Sequence, residues 1–182
     1  MNLYIIRHGV TVWNEKRRTQ GRVHNKLSKR GIELSEAVAR QLRDISFDYI
    51  FCSPLLRAVQ TANIINKYHN KKIIKDERLT DIDQGYFTGK YFDKLTQEEL
   101  IIKKSRAKSY GMESLVELFE RVSNFFNFIK ELYKKENILI VTHSGVAKFI
   151  EYVTKNNTFN TETFSKLKPY KNCEIKKFLI DN

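Results

Sequence analysis

The 182-residue chain has little of what breaks or staples a fold: two prolines, seven glycines and two cysteines. So few chain-breakers leave little room for a linker, and the length suits a single domain over residues 1–182, large enough to bury a core without covalent help. Cys52 and Cys173 stand far apart with no Cys-x-x-Cys or Cys/His ligand spacing. That excludes a disulfide framework and a zinc site and points to a reducing cytoplasm. No apolar run is long enough to span a bilayer. The N-terminal apolar segment is short and lacks the basic start and small-residue cleavage site of a signal peptide. There is no internal repeat and no low-complexity segment, and neither a metal nor a cofactor is expected.

What the chain does have is positive charge, a net +12 from 33 Lys and Arg against 21 Asp and Glu. Such a balance favours acidic partners, but the lysines are scattered at element ends and no nucleic-acid-binding motif accompanies them. A solvated lysine-rich surface is the plainer reading, with no specific nucleic-acid partner and no membrane. Lys90, Lys94, Lys103, Lys104, Arg106 and Lys108, mixed with Tyr86, Tyr91 and Phe92, are either part of that surface or a cap favouring a second anionic group.

Leu3 to Ile6 is a short apolar, strand-forming run that opens directly into Arg7-His8-Gly9, with Thr11 and Asn14 just downstream. A polar loop from Glu15 to Lys29 follows, and its Gln20 and Gly21, close to His8, are expected on the substrate surface. Leu34, Val38, Leu42 and Ile45 mark an amphipathic helix over Arg30 to Asp44. Tyr49 to Cys52 reads as a strand that stops at Ser53-Pro54, a helix cap and first helical residue, putting Arg57 in the first turn. A β-like run covers Lys72 to Lys75. Gln84 to Tyr110 has no clear periodicity. Ser114 and Glu117 are spaced as a capping box before a helical stripe running from Leu115 through Leu118, Phe119, Val122, Phe125, Phe126, Ile129 and Leu132 to Tyr133. Ile138 to Val141 is apolar on both faces and ends at Thr142-His143-Ser144-Gly145. A helix from Val146 to Thr154 and an edge strand from Glu174 to Ile180 complete the pattern.

Strands alternating with helices predict an α/β three-layer sandwich, a mostly parallel sheet with helices on both faces. Ligands of such sheets sit at the carboxyl ends of the strands, where His8, Arg57 and His143 would share one rim. Arginine forks and helix N-termini, including the one at Ser144, suit a phosphate. A neutral imidazole can attack phosphorus, and nearby arginines disfavour its protonation. The leaving oxygen needs a proton, for which Asp81 and Asp83 are the nearest carboxylates.

Arg7-His8-Gly9-x-Thr11-x-x-Asn14, Gln20-Gly21, Ser53-Pro54-Leu55-x-Arg57-Ala58-x-Gln60-Thr61-Ala62, Gly111-x-Glu113-Ser114 and Thr142-His143-Ser144-Gly145 occur in that order. Together they resemble the histidine phosphatase (phosphoglycerate mutase-like) superfamily. The resemblance implies that His8 is a phosphorylated nucleophile and that Arg7, Arg57 and His143 bind the phosphoryl group with help from Asn14. It also implies a metal-independent, two-step reaction on a small phosphomonoester. Asp81 stands where the family commonly has a glutamate acid. The loop usually written Gly-x-x-Asp-x-Pro-Leu is here Gly21-Arg22-Val23-His24-Asn25-Lys26-Leu27, and Phe87-Thr88 replaces an aromatic-glutamate pair. Glu113-Ser114 is expected to cap a helix and face the site; His24 and His69 are read as surface residues, and Trp13 as either pocket wall or packing. Hydrolysis is the expected reaction. Mutase-type transfer and an inactive phosphate-binding or phosphoprotein-interaction module are the alternatives.

Overall fold

The computed structural model describes residues 1–156 and 158–180. In chain order the strands and α-helices are β1 (Asn2–Arg7), α1 (Val12–Glu15), α2 (Lys29–Leu42), β2 (Tyr49–Cys52), α3 (Leu56–Asn66) and β3 (Ile73–Lys75). They continue with α4 (Gln97–Ser105), α5 (Leu115–Leu132), β4 (Asn137–Thr142), α6 (Ser144–Val153), α7 (Thr161–Lys166) and β5 (Ile175–Leu179). Among the described residues these strands form a five-stranded sheet in the order β3-β2-β4-β1-β5. It is parallel throughout except for β5, which pairs antiparallel along the edge of β1.

The period-two geometry of a strand sends alternate side chains to opposite faces, and both faces here are apolar. Leu3, Ile5, Ile138 and Ile140 pack against Val122, Phe125 and Ile129 of α5 and Phe149 and Ile150 of α6. Tyr4, Ile6, Leu139 and Val141 pack on the other side against Val38 and Leu42 of α2 and Ala58, Ala62 and Ile65 of α3. The predicted three-layer sandwich is therefore present. No helix among the described residues is long and apolar enough to cross a membrane.

The Ser114–Glu117 capping box forms as its spacing predicts. Of the expected stripe, Leu132 is 56% exposed and does not join the core. Ser53 and Pro54 do not start α3: the helix begins at Leu56 behind an N-cap Leu55 that makes no side-chain cap bond. The Ser53 hydroxyl accepts from Leu55 N at 3.3 Å and is also paired with the His143 ring at 2.8 Å. The polar loop lies where expected, between α1, a single turn on which Thr11 and Asn14 form a capping box, and the start of α2 at Lys29. The unreadable Gln84–Tyr110 stretch consists of short 3₁₀ turns around α4. One close approach sets the start of α2: a Cβ on Gly31 would lie 1.9 Å from the Val10 carbonyl oxygen, so only glycine lets the helix meet the chain beyond His8.

Candidate active site

The ladder between β1, β4 and β2 runs one residue past the strands. His8 N–H donates to Thr142 O at 2.8 Å and Ser53 N–H to Val141 O at 3.0 Å. This brings three strand ends to one rim and sets the His8 and His143 rings 5.1 Å apart between centroids.

Arg57 is fully buried beneath them. Its Nη1 donates to Val23 O at 2.7 Å and its Nη2 to Gly21 O at 2.8 Å, which fixes the guanidinium in place. Nη2 also donates to Asp81 Oδ2 at 2.9 Å, and Nε donates to His8 Nε2 at 3.2 Å. On the far side of the His8 ring, Nδ1 lies 2.7 Å from Gly9 O. A carbonyl only accepts, so Nδ1 carries the proton and the lone pair is on Nε2; the hydrogen-bond network assigns the tautomer. Burial, then Arg57, then Arg7, push the His8 pKa well below its usual value. The result is a neutral imidazole with its basic nitrogen oriented by a cation.

Arg7 Nη1 donates to Tyr170 O at 2.7 Å, while its buried Nε has no partner among the described residues. His143 has Nδ1 similarly unpartnered, 3.6 Å from Asp81 Oδ2. Its pKa is also driven well below the usual value, chiefly by burial and then by Arg57. Burial raises the Asp81 pKa against the opposing pull of Arg57. A carboxyl in such surroundings can hold a proton at higher pH than in water.

Arg7, His8 and Asp81 border a cleft of about 570 Å³ that also takes in Asn14, Gln20, Gly21 and Ser144, while Arg57 and His143 are fully buried behind its lining. The Asn14 carbonyl oxygen accepts from Thr11 N at 3.1 Å and from Asn172 Nδ2 at 3.4 Å, leaving its NH₂ as the free donor. Thr11 is fully buried and donates to Gln20 Oε1 at 2.9 Å, so it braces the loop rather than lining the cleft. Ser144 opens α6, whose N-terminus points backbone donors toward the rim. Asp83 is not in the cleft; its Oδ1 accepts from Gly85 N at 2.8 Å.

Glu113 departs from expectation. It faces Arg121 at 2.6 Å and 2.9 Å and accepts from Asp83 N at 3.1 Å, behind the loop that carries Asp81. Arg121 in turn donates to Arg78 O at 2.7 Å and Asp81 O at 3.4 Å. The hollow there, about 630 Å³, is slightly larger than the cleft, and the ion pairs Arg22–Glu113, Lys108–Glu117 and Arg121–Glu113 lie along its lining. Trp13 is a packing residue, stacked by Arg18 at 4.1 Å; His24 is exposed, and His69 meets Phe47 edge-on.

Sequence reasoning missed Arg121, Tyr170 and Asn172. Asn172 donates to His8 O at 2.9 Å, and nothing in its lysine-rich neighbourhood signals that role. Arg121 sits within the stripe of α5, where its spacing reads as solvent-facing.

A parallel α/β sheet with a neutral histidine, a second histidine and paired arginines at its carboxyl rim defines a phosphoryl-transfer class of protein. The sequence pattern of the histidine phosphatase superfamily (branch 1) matches residues 3–182, and the chain belongs to that family. It is 33% identical over 153 residues to the probable phosphoglycerate mutase GpmB of Salmonella choleraesuis, covering 81% of this chain and 71% of that one. It is 27% identical over 150 residues to phosphoserine phosphatase 1 of Hydrogenobacter thermophilus, covering 79% and 71% respectively. Among solved structures, YhfR of Bacillus stearothermophilus superposes with a TM-score of 0.87 at 27% identity, over 99% of this chain and 91% of that one.

Proposed function

We propose that the protein is a metal-independent phosphomonoester hydrolase acting through a phosphohistidine on His8. The observation that carries this reading is the His8 ring itself, with Nδ1–H fixed on Gly9 O and Nε2 unprotonated beside Arg57. In the first step Nε2 attacks phosphorus, the P–O ester bond breaks, and protonated Asp81 gives its proton to the leaving alcohol. Arg7, Arg57 and His143 hold the phosphoryl oxygens, with Asn14 and the α6 N-terminus adding donors. In the second step water gives a proton to the Asp81 carboxylate, its oxygen attacks phosphorus, and the P–N bond breaks to release inorganic phosphate.

The test is hydrolysis of p-nitrophenyl phosphate by chelator-treated wild type beside His8→Ala prepared in the same way. Turnover by the wild type alone, with an acid-labile phosphoprotein trapped on rapid quenching, is the expected result. Equal turnover by both, or activity abolished by the chelator and restored by a metal, overturns it. The likeness to a probable phosphoglycerate mutase favours a second reading, in which the phosphohistidine passes its phosphoryl group to another alcohol. Conversion of 3-phosphoglycerate to its 2-isomer faster than phosphate release would support that one instead.

A further inference from the structure

Ser53 follows β2 directly. The register that sets Cys52 beside Val141 continues one residue further, with Ser53 N donating to Val141 O at 3.0 Å. This carries the Ser53 side chain to the end of β4, where its Oγ lies 2.8 Å from His143 Nε2. Both residues are fully buried, so no solvent relieves a polar atom left unpaired between them.

A hydroxyl has a single proton to give and accepts through its lone pairs. Ser53 Oγ already accepts from Leu55 N at 3.3 Å, and among the described residues its other hydrogen-bond neighbour is His143 Nε2. If Nε2 carried the ring proton, the Ser53 proton would be buried with no acceptor. The hydroxyl therefore donates, Nε2 accepts, and the ring's own proton sits on Nδ1. Nδ1 makes no bond to the start of α6, although His143 is the N-cap residue of that helix. It lies 3.6 Å from Asp81 Oδ2, the oxygen that Arg57 Nη2 also reaches, at 2.9 Å. Two donors thus converge on one oxygen position, held here by the Asp81 carboxyl. His8 is wired in the opposite sense, with its Nδ1 proton spent on Gly9 O and the lone pair left on Nε2. One ring keeps a lone pair for phosphorus, and the other keeps a proton for an oxygen.

We propose, on the reading of His8 as the phosphorylated residue, that Ser53 is a positioning residue: its hydroxyl holds His143 as the neutral Nδ1–H tautomer. That N–H donates to a phosphoryl oxygen, which takes the place of Asp81 Oδ2 on Arg57. Ser53 itself touches no substrate and acts through the ring. His143 then supplies a hydrogen bond and no full charge, which leaves the positive charge beside His8 to Arg7 and Arg57. An imidazolium at His143 would repel Arg57 and favour the ionised form of Asp81, the form with no proton to give.

The test reads the ring nitrogens directly and does not depend on turnover. Two-bond proton–nitrogen correlation spectra are recorded near neutral pH on histidine-labelled wild type, with His143→Asn to assign the His143 signals. The expected result is a protonated Nδ1 and a bare Nε2 on His143. Adding inorganic phosphate shifts the Nδ1 signal and leaves Nε2 unprotonated. In Ser53→Ala the Nε2–H form appears. That variant's kcat for p-nitrophenyl phosphate falls by about tenfold or more, part of the roughly 10²- to 10³-fold cost of losing an oxyanion donor. A wild-type His143 that is protonated on Nε2 or on both nitrogens overturns the proposal, whether or not Ser53→Ala folds. So does an Nδ1 signal that phosphate leaves in place, or a Ser53→Ala protein that keeps the wild-type ring state. Failure of the hydrolase reading appears separately, as wild type that gives the expected spectra and releases no phosphate from its substrates.

Discussion

Asp81 Oδ2 accepts a hydrogen bond from Arg57 Nη2 at 2.9 Å, so the carboxyl proposed as the acid rests on a cation proposed to hold the phosphoryl group. A substrate oxygen arriving at Arg57 competes with Asp81 for that donor. Once released, Asp81 loses the partner that favours its charged form, beside a dianion that disfavours it further.

Asp81→Asn keeps an acceptor for Arg57 but has no proton to give. It is expected to lower kcat for ethyl phosphate by about 10²-fold or more, the usual scale of general-acid catalysis. The loss with p-nitrophenyl phosphate, whose leaving oxygen needs no proton, is much smaller. Comparing the two substrates in steady-state assays checks this; equal losses on both would remove Asp81 from the acid role.

His8 and His143 are buried with pKa values well below the usual 6.5, so the unfolded chain binds more protons than the folded one in mild acid. Stability therefore rises with pH through this range and is lost as pH falls below about 6.5, by up to about 1.4 kcal/mol per pH unit for each histidine. Urea midpoints between about pH 7.5 and about pH 5.5 measure the slope, and His8→Asn should reduce it. An unchanged slope in that variant would contradict the assignment. The difference between the two proteins cancels other groups such as Asp81, whose raised pKa acts in the opposite sense.

Glu113 and Arg121 brace the Asp81 loop from behind, through Asp83 N, Arg78 O and Asp81 O. Burial alone would raise the Glu113 pKa, but the bonds and charge of Arg121 bring it below the ordinary value. Glu113→Gln leaves the arginine short of a charged partner, and a loss of about 1–3 kcal/mol in urea unfolding is expected. If the brace sets the acid's position, kcat for ethyl phosphate falls while that for p-nitrophenyl phosphate is largely kept. A purely structural pair would lower both alike.

Gly31→Ala forces a methyl group into the Val10 carbonyl. The backbone of α2 or of the chain after His8 must move, at a cost of about 3 kcal/mol or more, and thermal unfolding reads it. An alanine variant as stable as wild type would mean that this approach is looser than described.

The parts of the fold that were legible in the sequence are those governed by local pattern. Ile138 to Val141 must be a covered strand because both its faces are apolar, and Ser114 caps α5 because its hydroxyl reaches Glu117 N at 3.2 Å. The rim bearing His8, Arg57 and His143 followed from the strands being parallel. Ser53 was misread because its hydroxyl satisfies the His143 ring, a partner 90 residues away that no local rule foresees. Gln84 to Tyr110 was opaque because long-range bonds hold it: Arg106 alone ties it to Glu113 O and Asp83 O, each at 2.6 Å. Of the basic residues in that stretch, Lys103 enters the cleft, a distinction that spacing does not carry.

The carbonyl of Tyr170 receives both Arg7 Nη1 and Ser144 Oγ, and Cys173 N–H donates to Arg7 O. Arg7 leaves the ribosome 163 residues ahead of the carbonyl that anchors it. A nascent chain thus displays the Arg7-His8-Gly9 triplet throughout its synthesis with no acceptor to aim the arginine. On the proposed reading, the arginine is aimed only once the segment around Tyr170 has been made and docks. A ribosome stalled before that point would hold a chain with most of its sheet strands and no working anion grip.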